Sequence, residues 1–320
     1  MCIVFFKACA GGPQCCRFRF VMAANRDEFF NRPTDPAHFW KEAPHVLGGA
    51  SCEIWLGCCA VIDRSSQVCR DLLTRCVYVC MYVCVCVYVW VIGIDREPGR
   101  EGGTWLGTTT DGRVAFLTNC REASPPPELR GRGGLCANFL VDQQASPDKF
   151  AHSLASERHE FSGFNLVVGD IQSGNFQYVS NRVNQDYQSV QPCVLHGVSN
   201  GVLDEPWPKV TRGKANIDAA VNRANADADQ VAAHLASAMR DQQKCSDDQL
   251  PKTGVPIEWE RKLSPVFVEF PEAAYGTRSI AVQVVDHNGH SVFYEHTRDS
   301  ETGEWKQQRF SFSLNDEMHS

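Results

Sequence analysis

No stretch of this 320-residue chain concentrates lysine and arginine, and acids outnumber bases 38 to 31, for a net charge of −7. Without a basic block the chain lacks the electrostatic footprint of a nucleic-acid binder. No Lys-Ser or Lys-Thr follows the glycine pair before Thr104, so that turn is not a phosphate loop. Nor is there a Cys-x-x-Cys-His, which excludes covalent haem attachment, and no cofactor is expected. A secretory leader is missing as well, because the first apolar run stops at Lys7, too short for an h-region. Residues 1–26 carry Lys7, Arg17, Arg19 and Arg26 without an acid, a feature of mitochondrial addresses, although cleavage there would discard Cys2.

Cysteine, by contrast, is plentiful. Of the 16, eight fall between Cys52 and Cys86 and the other eight are scattered, as in a protein of a reducing compartment. The close pairs Cys58-Cys59 and Cys84-Val85-Cys86 fit no tetrahedral template, so no metal-ligating set is expected. Residues from Ala50 to Ile94 differ from the rest: Cys76 to Ile94 is uncharged for 19 residues and alternates Val with Cys or Tyr, as a translated TG repeat would. Three readings stand: a low-complexity loop or retained non-coding segment, a membrane span of sufficient length, or a pair of strands.

Elsewhere hairpin signals dominate. Cys2 to Phe6 and Phe18 to Ala24 read as strands rich in β-branched and aromatic residues, able to pair as a long hairpin. Asp111-Gly112 turns the chain into Val114–Thr118, Gln172–Asn175 joins two further strands, and Asn288-Gly289 opens a last hairpin. A strand is read at Val194–Asn200, where His196 is more simply structural than a ligand. Helical spacing appears around Leu135–Leu140 and from Ile217 to Met239. The pattern predicts an α+β protein of antiparallel sheets covered by helices.

The first hairpin carries the chemistry. It brings Asn25-Arg26-Asp27-Glu28 near Cys2, which becomes the amino terminus if Met1 is removed. A free α-amine, titrating near ~7.7–8.0, can accept the proton of its own thiol. Arg26 would favour the thiolate and Asp27 would orient the ammonium or the arginine. The simpler alternative is a polar turn, with Cys2 a small buried hydrophobe.

Asn25-Arg26-Asp27-Glu28, Gly102-Gly103-Thr104-Trp105-Leu106-Gly107, Leu117-Thr118-Asn119, Gly163-Phe164-Asn165-Leu166, Ser199-Asn200 with Pro206-Trp207, and Tyr275-Gly276-Thr277-Arg278 follow in order. Together they resemble the Asn-Arg-Asp-Glu family of transport and Golgi organisation proteins. The resemblance covers residues 1–49 and 95–315 as one domain, with 50–94 as an insertion and 316–320 as a tail. Joining Gly49 to Asp95 restores the family pattern. That family is similar to the N-terminal-nucleophile hydrolases, which implies a four-layer αββα sandwich. By the same resemblance the nucleophile falls on Cys2, the paired polar residues on Arg26 and Asp27, and the oxyanion amide on Asn119. A second orienting amide falls on Asn200 and an arginine near the thiol on Arg278. Arg26 and Asp27 are adjacent, whereas the hydrolases separate the pair, so Glu28 is an alternative to Asp27.

Three functions follow from the resemblance. The first is a carrier of an amphipathic ligand, haem as cargo or an acyl-CoA or lipid, with Asn25, Arg26, Asp27 and Glu28 lining its anionic end. It would serve Golgi organisation, protein secretion and mitochondrial lipid or haem trafficking, from a cytoplasmic location with mitochondrial and Golgi association and peripheral membrane contact. The second is a cysteine amidohydrolase or thioesterase acting through Cys2. The third is a non-catalytic membrane-organising scaffold. The oligomeric state has no signature in the sequence.

Overall fold

The computed structural model describes residues 2–32, 34–39, 89–92, 94–95, 103–122 and 129–314. Its strands are β1 (Cys2–Ala8), β2 (Phe20–Phe29), β3 (Thr34–Asp35), β4 (His38–Phe39), β5 (Val89–Ile92), β6 (Ile94–Asp95), β7 (Leu106–Thr109) and β8 (Arg113–Asn119). There follow β9 (Phe164–Asp170), β10 (Asn175–Ser180), β11 (Gln188–Ser189), β12 (His196–Val198), β13 (Glu269–Phe270), β14 (Tyr275–Val285), β15 (His290–Arg298) and β16 (Trp305–Ser313). The helices are α1 (Gly134–Val141), α2 (Pro147–Glu157), α3 (Pro208–Val221), α4 (Ala228–Ala238) and the short α5 (Ile257–Lys262).

Among the described residues two large antiparallel sheets result, beside the two-stranded pair β3–β6. One runs β12-β1-β2-β14-β15-β16, with β13 paired to β14, and the other runs β11-β10-β9-β8-β7-β5-β4. Period-two alternation sends successive side chains to opposite faces, and the central strands β1, β2, β8, β9 and β14 bury both faces. From β1 and β2, Val4, Phe6, Met22 and Ala24 meet Val114, Phe116, Val167 and Tyr178 of the other sheet in one cluster. Their neighbours Ile3, Phe5, Val21 and Ala23 point the other way, onto Val210 and Ile217 of α3 and Val231 and Leu235 of α4. On the far side Leu117, Leu166 and Val168 pack under Leu135 and Phe139 of α1 and Leu154 of α2. The layers are therefore helix, sheet, sheet, helix, the four-layer αββα sandwich. Aromatic rings lock the middle layers, with Phe6 edge-on to Phe116 at 4.9 Å and Phe20 stacked on Phe176 at 5.5 Å between centroids.

Helix boundaries follow local chemistry. Ser146 caps α2 by accepting the Lys149 N–H, with Pro147 in the first turn. The single helical stretch expected over Ile217–Met239 is two helices. Asn225, at φ 57°, turns the chain, and a reciprocal capping box between Asp227 and Gln230 restarts it as α4. The strand expected at Val194–Asn200 is shorter, confined to His196–Val198. His196 is a structural residue, hydrogen-bonded to Asp204 at 2.6 Å and to the Gln191 carbonyl at 2.9 Å.

The insertion boundary needs correcting. Val89–Ile92, placed by sequence inside the 50–94 block, pairs with Leu106–Thr109 as an inner member of its sheet, and Ile94–Asp95 pairs with Thr34–Asp35. The Val-Trp-Val-Ile run at its end is thus a strand. The remainder of the block, and the tail at 316–320, lie outside the described residues.

Gly169 tests the middle layers. A Cβ at this position would sit 2.2 Å from the Phe176 ring, which is itself buried against Phe20 and Phe6. Gly169→Ala is expected to lower stability by about 1–3 kcal/mol, the range for overpacking, read by denaturant titration.

Candidate functional site

The β1–β2 register sets Cys2 directly opposite Arg26, and Arg26 in turn opposite Ser279 of β14. Cys2 belongs to the cluster between the sheets and is only 8 % exposed. Arg26 donates to the Thr34 hydroxyl at 3.1 Å and lies 4.0 Å from Glu28, which Arg32 holds at 2.7 Å. Burial opposes ionisation of Glu28, but surrounding positive charge and hydrogen bonds, Arg32, the Phe29 N–H and Arg26 among them, keep it below the usual carboxylate range. Burial raises the Cys2 thiol, with Asp27 adding to the effect and Arg26 opposing it. The thiol is therefore protonated near neutral pH and needs a base to become a nucleophile.

Alternation divides the Asn-Arg-Asp-Glu run, which corrects the expectation that all four residues line one ligand end. Asn25 points into the outer layer, where its amide donates to the carbonyls of Met239 (2.8 Å) and Val266 (3.0 Å). Asp27, also fully buried, accepts from the Thr277 hydroxyl at 2.7 Å, while its carbonyl accepts from Tyr275 at 3.0 Å. Burial raises the Asp27 carboxyl, against the pull of Lys209 and Arg121. Lys209 is buried too, donates to the Leu263 carbonyl at 3.2 Å, and is brought down to about 8, first by burial and then by Arg121. Arg121 pairs with Glu260 beneath Trp207. The void lined by Arg121, Trp207, Lys209 and Glu260 holds only about 10 Å³, too little for an acyl chain.

The two asparagines meet at the other sheet. Asn200 donates to the Asn119 carbonyl at 2.7 Å, and Arg132 donates to Asn119 Oδ1 at 2.6 Å. Its oxygen is engaged, and among the described residues no acceptor faces the Asn119 amide N–H₂. Ser199 donates to the Cys2 carbonyl at 3.1 Å, tying this strand end to the thiol. Arg278 is the bulged residue of β14 and donates to the carbonyls of Phe29 and Arg32. Burial, then Arg26, brings it down to about 10. It braces the loop after β2, and no contact joins it to the thiol among the described residues.

Sequence reasoning missed Lys209 and Glu295. Glu295 stands opposite Ala281, which faces the inner layer, and is 1 % exposed. It accepts the Ala37 N–H at 2.6 Å and lies near Arg26. Only one signal was available in the sequence, a charge at a position where period two demands an apolar residue.

These features define a four-layer αββα protein with a cysteine on its first strand, held beside an arginine at one end of the inner layer. The chain belongs to the Transport and Golgi organisation 2 family, whose model matches residues 1–63 and 90–300. It is 28 % identical to the Transport and Golgi organization 2 homolog of Mus musculus, over 98 % of this chain and 99 % of that one. To the Transport and Golgi organization protein 2 of Drosophila melanogaster it is 29 % identical, over 95 % of each. Among solved structures, a mutant of conjugated bile acid hydrolase from Clostridium perfringens aligns with a TM-score of 0.39 at 9 % identity, covering 98 % of this chain and 93 % of that one. The layer order rests on the packing above and not on that likeness.

Glu295 gives the site a pH signature. Burial pushes its carboxyl from 4.5 up to about 7. Between these values the folded chain holds a proton that the unfolded chain has released, so stability falls as pH rises through the window. Above it the full cost is on the order of 3 kcal/mol. Glu295→Gln keeps the oxygen that accepts from Ala37 and removes the titration. The variant is expected to match wild type near the ordinary glutamate pKa and to exceed it at pH ~8, measured by urea unfolding across that range.

Proposed function

We propose that the chain carries an amphipathic ligand with an anionic end, an acyl-CoA or related lipid or haem as cargo, in a role in Golgi organisation and protein secretion. The single observation behind this reading is Arg26, a buried cation directly opposite Cys2, with the Thr34 hydroxyl at 3.1 Å and a Glu28 carboxylate oxygen at 4.0 Å. Such an arginine suits a carboxylate, phosphate or propionate. Trp105 supports it: its indole N–H is buried without a hydrogen-bond partner among the described residues, and it shares the inner cluster with Cys2. Rings fill the middle of the sandwich, so the ligand's apolar part would lie at the Cys2 end and not along the whole inner layer.

The relatives' names support the Golgi part of this reading. The mitochondrial part rests on the acid-free basic residues of the first 26 positions. Membrane contact is proposed as peripheral; no helix among the described residues is long and apolar enough to cross a bilayer.

A specific observation favours a second reading, that of a cysteine amidohydrolase or thioesterase: the Asn119 amide is oriented by Arg132 and steadied by Asn200. After loss of Met1, the Cys2 thiol would pass its proton to its own α-amine and attack an acyl carbonyl. The Asn119 amide would donate to the oxyanion. Protonation from the amine would release the amine or thiol leaving group, and water would then hydrolyse the acyl-enzyme.

Fluorescence titration with a long-chain acyl-CoA and with haem distinguishes the readings. A carrier binds one equivalent without turnover, and Arg26→Ala weakens binding by roughly 10–100-fold, the loss of a charge-assisted contact, while Cys2→Ala leaves it intact. Turnover that disappears in Cys2→Ala identifies the hydrolase. No binding and no turnover contradict both and leave the scaffold.

A further inference from the structure

Four cysteines that the sequence scatters are gathered at the opposite end of β1 from Cys2. Cys9 follows β1, Cys15 and Cys16 lie in the turn before β2, and Cys193 lies between β11 and β12. Their sulfurs all fall within 4.8 Å of one another, and Cys193 Sγ stands 2.9 Å from both Cys9 Sγ and Cys15 Sγ.

The backbone is built to bring them together. Gly12, at φ 79°, reverses the chain, and its carbonyl accepts from both Cys15 and Cys16 N–H, at 3.1 and 3.3 Å. The Cys9 N–H binds the Arg19 carbonyl at 2.8 Å, and the Cys193 N–H binds the Ala8 carbonyl at 2.8 Å. Cys193 itself sits at φ 62°, a left-handed conformation unfavourable for a residue with a Cβ.

We propose that Cys9, Cys15, Cys16 and Cys193 form a closed tetrahedral site for a single thiophilic divalent ion, Zn²⁺, that clamps the β1–β2 turn to the β11–β12 connection. Zinc–sulfur bonds of ~2.3 Å put tetrahedral sulfurs ~3.8 Å apart, a spacing that four mutually close sulfurs reach by small side-chain rotations. Two disulfides would require closeness only within each pair, whereas here every sulfur is near the other three. A polynuclear iron–sulfur cluster distributes its cysteines over different metal ions and needs a wider cage. Soft thiolate ligands select zinc over magnesium or calcium. Binding releases the four thiol protons to solvent and leaves a net charge of −2 on the site, with no change of oxidation state. Lys7 lies close enough to act electrostatically on Cys16 and offsets part of that charge. Cys15 is exposed, which gives the ion a way in.

Metal analysis of the full-length protein, purified under reducing conditions, tests this. About one zinc per chain is expected to depend on the quartet. In Cys15→Ser and Cys193→Ser, zinc affinity against a competing chelator should fall by more than the ~10–100-fold typical of losing an outer-shell partner. Cys245→Ser should be unaffected. The cysteines between Cys52 and Cys86 are present in every variant, so metal held there does not respond. Cobalt substitution should give thiolate charge-transfer and tetrahedral d–d bands that Cys15→Ser loses; this exposed position decides the matter if Cys193→Ser fails to fold. Zinc content and affinity unchanged in Cys15→Ser would overturn the proposal. So would a metal-free protein whose mass under non-reducing conditions shows the quartet paired as disulfides.

Discussion

Everything at the candidate site depends on one register, Cys2 of β1 against Arg26 of β2. Because side chains alternate, this pairing fixes which residues reach the inner layer and which reach the helices. Cys2, Arg26 and Glu28 share one face, while Asn25 and Asp27 share the other. A slip of one residue would exchange the two sets and drive Phe5 and Ile3 into the space of Phe6 and Val4. The two apolar clusters on either side of β1 therefore hold the register, and with it the position of the thiol.

The buried charges obey the same division. On the helix side, Asp27, Lys209, Arg121 and Glu260 form a closed network that leaves almost no free volume, so its work is to hold the strand end against α3 and α5. Removing one member would strand the others in a low-dielectric setting, which is far costlier than any gain from the intact pairs. On the sheet side, Arg26 donates to Thr34, while Glu295 accepts from Ala37 and Thr297 and carries its proton to near neutral pH.

Much of this was legible in the sequence. Alternation in Cys2–Phe6 and Phe18–Ala24, and the glycine turns at Asp111-Gly112 and Asn288-Gly289, led to antiparallel sheets because those signals are local. The adjacency of Arg26 and Asp27 was enough to raise the question of which of them faces the thiol. Long-range placement was not legible. Cys193 lies 178 residues from Cys15, and nothing in either neighbourhood announces the other. Lys209 follows a proline in an ordinary helix start, and its burial comes from the packing of Leu263 and Trp207. The family motifs located Asn119 and Asn200, but their mutual hydrogen bond depends on how β8 and β12 end side by side.

We propose that ligand meets the protein at the Cys2–Arg26 end of the inner layer. Alkylation footprinting under mildly alkaline conditions, read by peptide mass spectrometry, tests it most directly. Saturating acyl-CoA or haem is expected to slow modification of Cys2 while leaving exposed Cys15 and half-buried Cys245 unchanged. An unchanged Cys2 rate with ligand demonstrably bound would place the ligand elsewhere and contradict the account.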